Sequence, residues 1–157
     1  IVGSRDLVRR LNANPLKRAL RLDKGRLAAL EAVLRLHLDP DRLAERLPAL
    51  RLLTRPAADI DATARRIAPA LAAAFPDRPI AVEDCKSQIG SGALPVDLLA
   101  SRAVAIGGSD LESLAAGLRR LPHPVIGRIG QGRLWLDCRC LEPDDEAAFL
   151  DQLPPAR

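Results

Sequence analysis

An α+β fold is predicted for this 157-residue chain: a mainly antiparallel sheet of about four strands, covered by helices and preceded by a helical segment. Three features predict it. Up to about residue 76 the apolar residues recur every three or four positions, the period of a helix face. Beyond Pro76-Asp77-Arg78-Pro79 the pattern changes to short β-branched or alternating runs. Between the last two of these runs stands Gly130-Gln131-Gly132, which suits a tight hairpin turn between antiparallel neighbours. Residues 1–76 therefore read as a helical segment and 77–157 as an α+β domain.

In chain order, Ser4 is placed to cap a short helix through Asp6-Leu7-Val8-Arg9-Arg10-Leu11, which Asn12 to Pro15 ends. Asn14 to Lys24 follows as a helix turn, with Leu16 and Leu20 four apart as its anchoring stripe. Asp23 caps a helix over 24–37 that carries Leu27, Leu30, Leu34 and Leu38 on one face, with His37 at its end. Asp39-Pro40 starts another helix, and Pro48 is expected to break it and leave 49–53 as a separate turn. Ile60, Ala64, Ile67, Ala68 and Leu71 mark a long amphipathic helix over 57–75, bent at Pro69. Strands are expected over 80–85, 103–106, 125–129 and 133–140. In the last, Leu134, Leu136, Cys138 and Cys140 alternate with Arg133, Trp135, Asp137 and Arg139, so one face of the sheet is buried. Ser109-Asp110-Leu111-Glu112 begins a helix between strands two and three, and a final helix covers 144–153.

Composition removes several classes of function. No apolar run approaches the ~20 residues that span a bilayer, so no membrane partner is expected. Aromatic residues make up 2% of the chain, which leaves no stacking platform for single-stranded nucleic acid and an aliphatic core. Cys85, Cys138 and Cys140 form no even framework, and His37 and His123 sit at no zinc-like spacing from them, so buried thiols in a reducing cytoplasm are expected and no metal site. Residues 1–26 hold eight cations against Asp6 and Asp23, a surplus that attracts a polyanion or a phosphorylated ligand. The chain opens on Ile1-Val2-Gly3 and contains no Met, which reads as a piece whose start is missing.

The candidate binding residues are Arg18 and Arg21. Three apart in a helix, they leave from one face, and two guanidiniums so close repel unless an anion lies between them. An oxyanion clamp and a solvated basic face both fit, and the residues alone leave the two open, the solvated face being the commoner outcome. Ser87-Gln88-Ile89-Gly90-Ser91-Gly92-Ala93-Leu94-Pro95 is a second candidate, because Gly90 and Gly92 could bring main-chain amides to an anion; a bend between strands explains them as well.

Ile1-Val2-Gly3, Asn14 to Lys24, Leu50-Arg51-Leu52-Leu53-Thr54, Ser87 to Pro95, Pro124 to Ile129 and Arg133 to Asp137 together resemble the C-terminal part of bacterial selenocysteine synthase, the L-seryl-tRNA(Sec) selenium transferase family. The Leu-x-Arg-Ala-Leu-Arg and Ser-Gln-Ile-Gly-x-Gly segments are its specific marks. Ser91 stands where the family usually has a third Gly, and Ala93 where it commonly has Ser.

The resemblance implies the small C-terminal domain of a fold-type-I enzyme that uses pyridoxal 5'-phosphate, with 1–76 linking from a large cofactor-binding domain that is missing here. The family's Schiff-base lysine would precede Ile1, so no catalytic or cofactor-binding residue is expected in the chain and the piece alone should be inactive. The implied reaction converts seryl-tRNA(Sec) to selenocysteinyl-tRNA(Sec) with selenophosphate, in a large cytoplasmic ring-like homo-oligomer. Arg18 and Arg21 match family arginines implicated in holding the anionic selenium donor, which favours the clamp. The competing readings are a paralogous pyridoxal-phosphate lyase or aminotransferase acting on a small amino or sugar acid, and a non-catalytic basic module that docks RNA.

Overall fold

A computed structural model describes residues 3–88 and 98–155. The chain divides into two units, one ending at Pro48 and the other starting at Ala49. The division expected at 76/77 falls inside the second unit, because the helix before it shares a core with the sheet.

The first unit is helical. Helix α1 (Arg5–Ala13) starts after Ser4, but the hydroxyl of Ser4 makes no capping bond; the main-chain carbonyl of Ser4 accepts from the Val8 amide at 2.9 Å. A 3-10 turn, Pro15–Arg18, follows, with the Asn14 side chain accepting from the Leu16 amide at 2.9 Å. Asp23 caps α2 (Lys24–Leu36) by accepting from the Arg26 amide at 2.9 Å, and His37 is its C-cap. Pro40–Arg42 is a second 3-10 turn before the single-turn helix α3 (Leu43–Arg46). No described residue of this unit is buried, and Leu27, Leu30, Leu34 and Leu38 of the expected apolar stripe are all exposed.

Helix α4 (Pro48–Thr54), all but its first residue in the second unit, stands where only a turn was expected. Pro48 begins it instead of breaking it, since the first helical position needs no amide donor. Helix α5 (Ala57–Ala74) buries Ile60, Thr63, Ala64, Ile67 and Leu71 along one stripe. It runs unbroken through Pro69, which is exposed.

The sheet is antiparallel, in the order β1-β2-β4-β3. Strands β1 (Ile80–Gln88) and β2 (Leu98–Ile106) pair from Ile80 opposite Ile106 to Gln88 opposite Leu98. Helix α6 (Leu111–Arg119) leads from β2 towards β3 (Arg128–Gly130), and α7 (Pro143–Asp151) closes the unit. Between β3 and β4 (Arg133–Asp137), Gln131 and Gly132 take φ of 53° and 70°, the left-handed pair of a type I′ turn, whose twist matches that of the strands.

On one sheet face Val104, Ile106, Leu134 and Leu136 pack with the apolar sides of α5, α6 and Phe149 of α7. The opposite face is not bare. Ala103, Ala105 and Trp135 are buried there with Cys85 against them, so the expected alternation fails at Trp135. It fails again at the end of β4. The strand stops at Asp137, whose side chain accepts from the Arg139 amide at 3.0 Å and turns Cys138–Cys140 into a 3-10 turn. That turn buries Cys138 and Arg139 and exposes Cys140.

Candidate functional site

Arg18 ends the 3-10 turn of the first unit, and Arg21 lies three residues on, with its amide 3.5 Å from the Arg18 carbonyl. The backbone here is tighter than the helix turn expected, with bonds of the i to i+3 type from Lys17 to Asn14, Ala19 to Leu16 and Arg21 to Arg18. Leu16 and Leu20 do not anchor it, being 67% and 81% exposed. Both arginines are exposed, and among the described residues neither is paired with a carboxylate. Asp23, the nearest acid in sequence, is engaged by Arg26 at 3.3 Å.

In the second unit a cleft of about 850 Å³ opens beside α4 and the ends of β1 and β2. Leu52 and Leu53 form one wall, Lys86, Ser87 and Gln88 another. Gly127 completes a third, and only glycine fits there: a Cβ would stand 2.8 Å from Leu134 Cδ1 and 2.9 Å from the Trp135 carbonyl oxygen. Arg128 lies over the Trp135 ring at 5.4 Å, a cation–π arrangement, and the indole Nε1 donates to the Gly130 carbonyl at 2.9 Å.

The floor of the cleft is a polar network built on the turn after β4. Ser87 Oγ and Ser101 Oγ each donate to Asp137 at 2.6 Å. Arg139 is 6% exposed; its Nε donates to Ser87 Oγ at 3.0 Å, one terminal nitrogen to the Leu52 carbonyl at 2.9 Å and the other to the Ala100 carbonyl at 2.6 Å. Arg55 does similar work nearby, donating to the carbonyls of Cys138, Arg139 and Leu141 and to Thr63 Oγ1. These two guanidiniums tie the α4–α5 junction to the sheet.

The residues 89–97, which include Gly90, Ser91, Gly92 and Ala93, lie outside the described residues; Ser87, Gln88 and Leu98 on either side of them line the cleft. Burial pushes the Cys85 and Cys138 thiols up to about 11, with Asp137 adding to both. Sequence reasoning missed the Asp137–Ser87–Arg139 network, because alternation placed Asp137 and Arg139 on an outward face. It also missed Arg128, because no spacing in the sequence signals its place over the Trp135 ring.

The fold defines an α+β protein in which, among the described residues, Arg18, Arg21 and Arg128 are exposed and paired with no carboxylate. The chain belongs to the L-seryl-tRNA selenium transferase family, whose model matches residues 1–142. It is 58% identical to the L-seryl-tRNA(Sec) selenium transferase of Klebsiella pneumoniae (strain 342), over 98% of this chain and 34% of that relative. The enzyme of the same name from Methylocella silvestris is 56% identical over 98% of this chain and 33% of its own, and that of Yersinia pestis (strain Pestoides F) 55% over 98% and 34%. The chain thus spans about a third of the length of the curated relatives it matches.

Proposed function

We propose that this chain is the C-terminal part of an enzyme that converts seryl-tRNA(Sec) to selenocysteinyl-tRNA(Sec) with selenophosphate as donor. The observation that carries the reading is the family match over residues 1–142, with 55–58% identity to curated selenium transferases over 98% of the chain. Arg18 and Arg21 take the role of donor-holding residues. Free of carboxylates, exposed, and in the part of the chain with the densest positive charge, they would grip phosphoryl oxygens through paired N–H groups and leave the selenium directed away from the fork.

Pyridoxal 5'-phosphate is the proposed cofactor of the whole enzyme, but the lysines of this chain do not fit it. Lys17, Lys24 and Lys86 are all exposed, whereas a Schiff-base lysine needs an enclosed site that keeps its amine unprotonated. The cofactor is therefore assigned to residues outside this chain, with the segment before the sheet linking the two parts. A cytoplasmic homo-oligomer is the expected form of the whole enzyme.

In the intact enzyme, Arg18→Ala and Arg21→Ala should each lower selenium transfer by about a hundredfold, as for loss of a charge-assisted bond to a reacting anion, and leave seryl-tRNA binding within about twofold. Single-turnover transfer with labelled selenium, alongside filter binding of the tRNA, separates the two effects. Wild-type transfer in both variants would remove the assignment.

A further inference from the structure

Helix α2 carries an apolar stripe that no described residue covers. Leu27, Leu30, Leu34 and Leu38 recur at intervals of three, four and four, which sets them on one side of the helix, and each is about half exposed or more. A shallow groove runs along the stripe and is bordered by Glu31 and Arg35, which pair at 2.7 Å. An apolar centre with a charged rim is the anatomy of a protein interface. On α1, Leu7 and Leu11 stand four apart and are likewise exposed.

Helices of this kind do not hold alone. At 9 and 13 residues, α1 and α2 are near or below the length of about 12–15 at which an isolated helix is marginal in water, and packing of an apolar face supplies the rest. Their own unit does not supply it, since none of its described residues is buried. The described residues of the second unit leave the same leucines exposed. The relatives point to the cover: each matches this chain with only 33–34% of its own length, so about two thirds of each polypeptide lies outside the matched part. A surface on the same polypeptide meets the stripe at an effective concentration of roughly millimolar, far above that of a separate molecule at working dilution. Four leucines also fall short of the roughly 800 Å² per partner that holds two separate proteins together.

We propose that the leucine stripe of α2 docks on an apolar surface of the cofactor-holding part of its own polypeptide, the part that lies outside this chain. The proposal rests on the selenium-transferase reading, which assigns the cofactor to that part, and it makes the helical segment a docking element as well as a link.

The test uses the full-length enzyme with photoreactive p-benzoylphenylalanine in place of Glu31, at the border of the stripe, so that all four leucines stay. Subunits carrying light and heavy isotopes are co-assembled, irradiated and read by peptide mass spectrometry. Cross-links from position 31 to peptides outside the 157 residues, pairing light with light and heavy with heavy, are expected. Light–heavy pairs would overturn the proposal and assign the stripe to a second copy. Cross-links confined to residues 49–157, or none at all, would overturn it as well. Hydroxyl-radical labelling of the unsubstituted enzyme reads the same face independently: Leu27, Leu30 and Leu34 should be oxidised roughly tenfold more slowly in the native enzyme than in urea, as expected for side chains enclosed by neighbours. Equal rates would place the stripe in water and overturn the proposal. A wild-type enzyme that transfers no selenium from selenophosphate to seryl-tRNA(Sec) would remove the functional reading itself, a result distinct from any pattern of cross-links.

Discussion

Cys138 and Cys140 are two residues apart, yet the turn after β4 buries the first to 2% exposure and leaves the second exposed on the rim of the cleft. A thiol pushed up to about 11 is ionised in roughly one molecule in a thousand at pH 8, and the thiolate is the reactive form. Iodoacetamide at about pH 8 should therefore label Cys140 in the native chain while Cys138 stays unmodified until denaturant is added, with peptide mass spectrometry as the measure. The cause is Asp137. By accepting from the Arg139 amide it ends the strand, and this sets which thiol faces the core. Alternation in the sequence placed both thiols on one face because it carries no sign of where a side chain stops a strand by bonding to its own backbone.

At the scale of elements, α7 is held to the helices before it by forked ion pairs. Arg66 of α5 meets both oxygens of Glu146 at 2.9 and 2.6 Å, and Arg51 of α4 meets both of Glu142 at 2.6 and 2.8 Å. The Arg66 guanidinium holds the Glu146 carboxyl below the usual carboxylate range, and Arg51 does the same to Glu142. A carboxylate so lowered stabilises the fold above its unfolded pKa, and the contribution is lost as pH falls through the lower folded value. Stability should thus decline on acidification below about pH 4.5, and Glu146→Gln should flatten that decline in urea titrations run from neutral pH downward. The elements themselves were largely legible. The stripe of Ile60, Ala64, Ile67 and Leu71 specified α5, and Gly130-Gln131-Gly132 specified the hairpin. Helix α4 was hidden because Pro48 reads equally as a breaker and as a first helical residue. The second buried face was hidden because Ala103 and Ala105 give a weak signal until Trp135 is laid across them. Of the candidate sites, Arg18 and Arg21 were visible as a local cluster, whereas the cleft is assembled from residues distant in sequence.

The two units of the molecule differ in how they are held. The second has a core of α5, the inner sheet face and Phe149; the first buries none of its described residues and exposes Leu7, Leu11, Leu27, Leu30 and Leu34. In hydrogen exchange on this 157-residue chain, amides of β2 and α5 should be protected by roughly a thousandfold or more over those of 5–46, which should exchange close to the unprotected rate. Protection of 5–46 in the intact enzyme would mark the leucine faces as covered there. Arg139 has a further bearing on the second unit. Its side chain reaches partners 39, 52 and 87 positions away, at Ala100, Ser87 and Leu52. Such a knot of bonds closes only when three remote stretches have met, so Arg139→Ala is expected to speed unfolding more than it slows folding, as read from the two arms of a urea chevron. An equal loss on both arms would place the knot among contacts already made at the barrier.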